Sequence, residues 1–288
     1  MSTTKKALVF LAITFAFSWS VTIGAWAAGL AQSPFAVLIL TAMMAGPAVA
    51  ALICAFAFEK GRRFEALGLR FKPNWWWLFA WLIPIGLAIL SVALTVALSP
   101  NNDLVDIGDA SIAAAAAQSP EQAEQMRVVP HLGLIIIASA AVVGALVNAL
   151  VLTFTEELGW RGYLHDLWRP FGFWRASLAT GAIWGAWHAP AIYLYGLNYP
   201  NNRELGLGIF VIWCTLLAPI MTLIRDRGGS TWAAGIGHGT INAIAGLTIM
   251  SLSNPAFPWT GMVGIGGFVA LAIGIAGVAL LQRKPAAT

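Results

Sequence analysis

The chain has 288 residues, 59% of them hydrophobic and 10% charged, with 16 Lys and Arg against 12 Asp and Glu. Mean hydropathy is +0.78, whereas soluble domains carry about 25% charged residues, so a soluble globular enzyme is excluded and an all-α, polytopic membrane helix bundle is expected. The pI of about 9.3 reads as anchoring at an anionic leaflet rather than as nucleic-acid binding, because the bases sit in short loops between apolar runs.

A helix needs about 18 or more apolar residues to cross hydrocarbon. About eight transmembrane helices are expected on that basis, near residues 7–29, 35–58, 75–98, 132–155, 176–197, 205–224, 230–250 and 259–281. The first run follows Lys5 and Lys6 and ends in the small residues of "AWAAGLAQ", as a secretory signal would. At about 23 residues it exceeds the roughly 7 to 15 of a signal core, so a retained helix is expected. "NWWWLFAW" at 74–81 reads as an aromatic belt at the entry of the third span. The loop 99–130 contains "SIAAAAAQSPEQAEQ", whose alanines favour an interfacial helix. Cys54 and Cys214 fall inside spans, which argues for small apolar roles and no disulfide. The pairs Gly181/Gly185 and Gly235/Gly239 suit close helix packing.

Lys and Arg in short loops favour the cytoplasm. With a cytoplasmic N-terminus, eight alternating spans place every basic residue inside except Arg127 and Arg203. The long outer loop then carries Asp103, Asp106, Asp109, Glu121 and Glu124 against Arg127 alone. One span more or fewer would scramble this sorting. The expectation is therefore a single integral membrane domain over 1–288 with both termini cytoplasmic, in what the Ala- and Trp-rich composition suggests is a bacterial plasma membrane.

Ionisable side chains inside spans are expensive and by default mark function. From Val128 to Thr155 the chain has no Asp, Glu, Lys or Arg, and then "TFTEELGWRGYL" brings Glu156, Glu157 and Arg161 together. His188 follows in "AIWGAWHAP", and His238 with Asn242 in "GIGHGTINA". Glu157 and Arg161, Trp184 and His188, and His238 and Asn242 are each four apart and share a helical face. Glu156 points about 100° away from Glu157, which leaves it free for other work. At ~1.5 Å per residue from Ser230 and Ala176, His238 and His188 lie on the order of 12 to 18 Å into the membrane. Glu156 reaches the same level if its helix continues through "WRGYLHDLW". The bland alternatives are a charged helix boundary for 156–161, a histidine bonded to a carbonyl freed by Pro190, and interhelical hydrogen-bond glue for His238 and Asn242. His131 and His165 sit at predicted interfaces and read as solvated or capping.

"EELGWR" fits the pattern EExxxR, "WGAWH" is similar to FxxxH, and "HGTIN" fits HxxxN, in that order on successive helices. In these motifs the chain resembles the CPBP family of intramembrane proteases, which includes type II CAAX prenyl endopeptidases and bacterial proteins linked to bacteriocin processing or self-immunity. The resemblance covers a catalytic core of roughly 132–250 and departs from the pattern at Trp184, where Phe is usual. It implies an intramembrane endopeptidase acting on a membrane-embedded or lipidated peptide or protein. Glu156 would be general base, His188 would hold the water, His238 and Asn242 would donate to the oxyanion, and Glu157 held by Arg161 would brace the site. No cofactor is expected; the alternative is zinc on Glu156, His188 and His238, a set used by catalytic zinc but without a local HExxH. Rival readings are a proton-coupled transporter using the same acid and imidazoles and a non-catalytic membrane immunity or binding protein.

Overall fold

The structure is a computed structural model that describes residues 1–282. Arg283 and Lys284, assigned to the inside by the charge sorting, lie outside the described residues. Eleven helices carry the fold: α1 (Thr3–Ala27), α2 (Ala36–Phe58), α3 (Trp75–Leu98), α4 (Ile107–Ala116), α5 (Pro120–Arg127), α6 (Leu132–Phe171), α7 (Phe173–Trp187), α8 (Ala189–Tyr195), α9 (Arg203–Gly228), α10 (Thr231–Met250) and α11 (Ile265–Gln282). Among the described residues β pairing is confined to one isolated bridge, Leu104 with Leu252.

The local chemistry explains many of the helix ends. Ser2, Asn74, Asp106, Ser119 and Ser230 precede α1, α3, α4, α5 and α10, and each accepts a hydrogen bond from a first-turn N–H. Pro47 bends α2 near Ala45, since it can offer no N–H to the preceding turn. Gly196 and Gly229, at φ of 75° and 66°, end α8 and α9 in the left-handed conformation that glycine adopts without penalty.

Among the described residues six helices are long and apolar enough to cross a membrane: α1, α2, α3, α6, α9 and α11. The other two expected spans are helical but differ in kind. α10 has 20 residues, yet its polar His238 and Asn242 keep it short of that apolarity. The run 176–197 divides at His188 into α7 and α8, with Pro190 in the first turn of α8. The two elements that depart from simple spans are thus the ones that carry the imidazoles. The fourth span runs on as α6 to Phe171, well past 155, and the last begins only at Ile265.

α6 is not a regular α-helix. Ala140–Gly144 and Thr153–Tyr163 are π-helical, a widened winding that is rare and concentrates at functional sites. The first segment leaves the Ala141 carbonyl to accept from Trp81 Nε1 at 2.6 Å. The second contains the whole of "TFTEELGWRGY".

Close approaches between helices depend on missing side chains. A Cβ on Gly235 would meet Thr153, and one on Gly239 would meet the Ala149 backbone, so α10 lies directly against α6. Gly181 and Gly185 seat α7 against Cys214, Ala218 and Val211 of α9. Gly159 seats the π segment on Pro47 of α2, where a Cβ would come within 2.6 Å. Gly108 of α4 meets Gly133 of α6. The aromatic belt is mixed: Trp75 is exposed, whereas Trp77 and Trp81 donate to the carbonyls of Gly228 and Ala141. Cys54 and Cys214 are both free and buried.

Candidate active site

Glu156, Glu157 and Arg161 are 2%, 0% and 1% exposed, so none is a helix-boundary charge in contact with bulk water. The two carboxylates turn to different partners. Glu157 Oε1 accepts from Arg161 Nη1 at 3.0 Å and from His238 Nδ1 at 2.8 Å. Glu156 Oε2 accepts from Trp184 Nε1 at 2.8 Å. Its Oε1 has no protein hydrogen bond among the described residues. Three helices, α6, α7 and α10, therefore meet through these contacts, against a back wall supplied by Phe210 of α9, whose ring is 4.9 Å from that of His188.

The ring nitrogens can be assigned from their partners. His188 Nδ1 lies 2.8 Å from the Trp184 carbonyl. A carbonyl only accepts, so Nδ1 carries the proton and Nε2 of a neutral imidazole is left as an acceptor. His238 Nδ1 faces Glu157, which as Arg161's ionised partner also only accepts; Nδ1 again holds a proton and Nε2 points away from the ion pair. Both histidines pack edge-on to Trp184, with ring centroids 5.6 Å and 5.1 Å away.

Asn242 stands one turn beyond His238 on α10 and is exposed, with no protein partner among the described residues. The structure brings Glu156, Glu157, Arg161, His188 and His238 into one cluster and leaves Asn242 beside it, facing outward. His165 pairs with Asp226 at 3.0 Å, and His131 sits exposed at the start of α6 with φ of 54°; both are remote from the cluster in role.

Several participants were not legible as such. Trp184 emerges as the residue that touches Glu156, although its sequence context marks it only as an aromatic lining group. Arg225 donates from Nε to the Arg161 carbonyl at 2.7 Å, which satisfies an acceptor in the widened helix. Glu59, 4% exposed, accepts from Lys6 Nζ at 2.6 Å and ties α1 to the end of α2. Arg62 bridges Glu59 and Asp166, and the hydrogen bond to Asp166 holds its guanidinium above its ordinary pKa. Glu59 is hinted at only by its neighbours Lys60, Arg62 and Arg63; Arg225 carries no sequence signal beyond residue type.

Buried Glu157 Oε2, Arg161 Nε and Arg161 Nη2 have no protein partner, which suits ordered water inside the cluster. A separate cavity of about 920 Å³ of apolar space lies between α3, α6 and α10, roofed by residues 104–107. Among the described residues no three His, Cys, Asp or Glu side chains are arranged to hold a metal ion. For the alternative zinc set, Nδ1 of both histidines and Oε2 of Glu156 are engaged, so Nε2 of each histidine and Oε1 of Glu156 are the atoms left that could face an ion.

These features define a polytopic helical membrane protein with a polar, acid and imidazole cluster buried among its helices. Residues 138–244, a segment that holds every residue of the cluster, match the family described as type II CAAX prenyl endopeptidase Rce1-like. A CAAX prenyl protease 2 of Methanococcus maripaludis is 37% identical over 82 residues, which is 23% of this chain and 30% of that protein. The matched stretch thus spans less than a third of that relative's length.

Proposed function

We propose that the chain is an intramembrane endopeptidase that hydrolyses a peptide bond of a membrane-embedded or lipidated peptide, with Glu156 as general base. The observation that carries this reading is the convergence on one indole: Glu156 bonded to Trp184 at 2.8 Å, with His188 and His238 packed against the same ring. Peptide hydrolysis needs an activated water, a stabilised oxyanion and a proton for the leaving amine. A water donating one hydrogen to Glu156 Oε1 and the other to His188 Nε2 keeps a lone pair for the carbonyl carbon. Glu156 takes the proton as the C–O bond forms and the carbonyl electrons move onto oxygen. His238, held by Glu157 at Nδ1, turns Nε2 to that oxyanion and donates to it when Nε2 also carries a proton, and the Asn242 amide supplies a second donor. Collapse of the intermediate expels the amine, which leaves with the proton held by Glu156.

The exposure of Asn242 supports this arrangement, because an unpartnered amide facing hydrocarbon would cost several kcal/mol and a wet opening removes that cost. The names of the matched family and relative point to prenylated CaaX peptides as the first substrates to try. No step is assigned to a metal, and exhaustive chelation is expected to leave the rate unchanged; stoichiometric zinc in the purified protein, with activity lost on its removal, would overturn that.

The test is cleavage by full-length protein in liposomes of a farnesylated CaaX peptide, alongside comparative proteomics of membranes with and without it. Glu156→Gln is expected to lower turnover by about 10²- to 10⁴-fold, the usual contribution of a positioned base, while the protein stays folded. A Glu156→Gln variant cleaving at the wild-type rate would remove Glu156 from the mechanism.

A further inference from the structure

Glu156 and Glu157 are adjacent, equally buried and close to one guanidinium, yet they are treated differently. Glu157 takes the whole ion pair with Arg161 and the His238 hydrogen bond as well. Glu156 receives a neutral donor, the indole N–H. The guanidinium carbon of Arg161 lies 4.6 Å from the centroid of the same indole, so the ring's face holds the cation while its edge holds Glu156. Trp184 has little room to move. It is 2% exposed, its carbonyl accepts from His188, and the next residue, Gly185, is packed against the Val211 backbone of α9.

Resting on the endopeptidase reading, we propose that Trp184 is a positioning residue that keeps Glu156 available as a base. Its N–H fixes one carboxylate oxygen, so that Oε1 is the oxygen turned to the water. Its ring occupies the space through which Arg161 would otherwise reach Glu156 and tie it into a second ion pair. Phe at this position would keep the screen and lose the fixing hydrogen bond.

The consequence is measurable. In full-length protein in liposomes, with the farnesylated peptide as probe and rates normalised to folded protein, Trp184→Phe is expected to lower kcat by roughly tenfold or more, the worth of a hydrogen bond to a charged group. KM should stay within about twofold, since an indole acting through Glu156 makes no uniform contribution to substrate binding. Trp184→Leu, which removes the screen too, should fall further. A readout free of activity is the ¹⁵N-indole spectrum in detergent micelles, where the Trp184 resonance is identified by its absence from Trp184→Phe. Glu156→Gln should displace that resonance. The proposal fails if Trp184→Phe turns over at the wild-type kcat, if its loss is all in KM, or if Glu156→Gln leaves the resonance in place. If the wild-type protein cleaves neither probe nor native membrane peptides while Glu156→Gln still displaces the resonance, the endopeptidase reading falls and the hydrogen bond stands without a catalytic use.

Discussion

At Arg161 two buried charges are held together by one hydrogen bond, Glu157 also accepts from His238, and the guanidinium's Nε and Nη2 are left for water. Removing one member of such a pair strands the other in a low-dielectric site. Arg161→Ala is therefore expected to destabilise the protein by about 3 to 5 kcal/mol, read as a fall in the unfolding midpoint in detergent. Replacing Glu157 and Arg161 together by Leu should cost clearly less, because no charge is then stranded. Equal costs for the single and double variants would mean that Arg161 contributes by packing on Trp184 alone. Charges and imidazoles in apolar runs are legible from sequence, since hydrocarbon makes them too expensive to keep without a use. Trp184 is not: it is one of 14 tryptophans, and nothing in residue type says whose carboxylate an indole N–H will meet.

The helices that hold the site are set by what their glycines lack. α10 approaches α6 through Gly235 and Gly239, whose Cβ positions are filled by Thr153 and Ala149. Gly239→Ala is expected to cost about 1 to 3 kcal/mol as an overpacked contact and to lower activity by displacing His238 one residue away. Gly246, on the same helix with open space around it, is the control: Gly246→Ala should be neutral or stabilise by up to ~1 kcal/mol, since alanine is the better helix former. If both changes gave the same unfolding midpoint, the close approach would carry no stability. The small-residue spacing was readable in the chain. The π-helical winding of Thr153–Tyr163 was not, because it depends on Pro47 of α2, Arg225 of α9 and Trp184 of α7 arriving from distant parts of the sequence. It carries Glu156 and Glu157 into the bundle, whereas a regular helix leaving the membrane would have been a sufficient account of the same letters.

Across the whole molecule, the charge sorting assigns the loops joining α2 to α3 and α9 to α10 to the inside, and the loop joining α8 to α9 to the outside. Cys54 and Cys214 are fully buried, so a single introduced thiol reports cleanly. An impermeant maleimide added to intact cells is expected to label Asn201→Cys and to reach Lys72→Cys only after permeabilisation. The opposite pattern would invert the topology and put the Lys6, Glu59, Arg62 and Asp166 cluster on the outer face. The sequence alone determined the solvent: a chain so poor in charge must satisfy its backbone internally, and in lipid that means helices. It also determined which residues had to be of use there, by the cost of burying them. Only the tertiary structure decided how they are divided, with Glu157 neutralised by Arg161 and His238, and Glu156 held by an uncharged N–H. That division rests on distances between helices far apart in the chain, and residue spacing carries information only along one helix at a time.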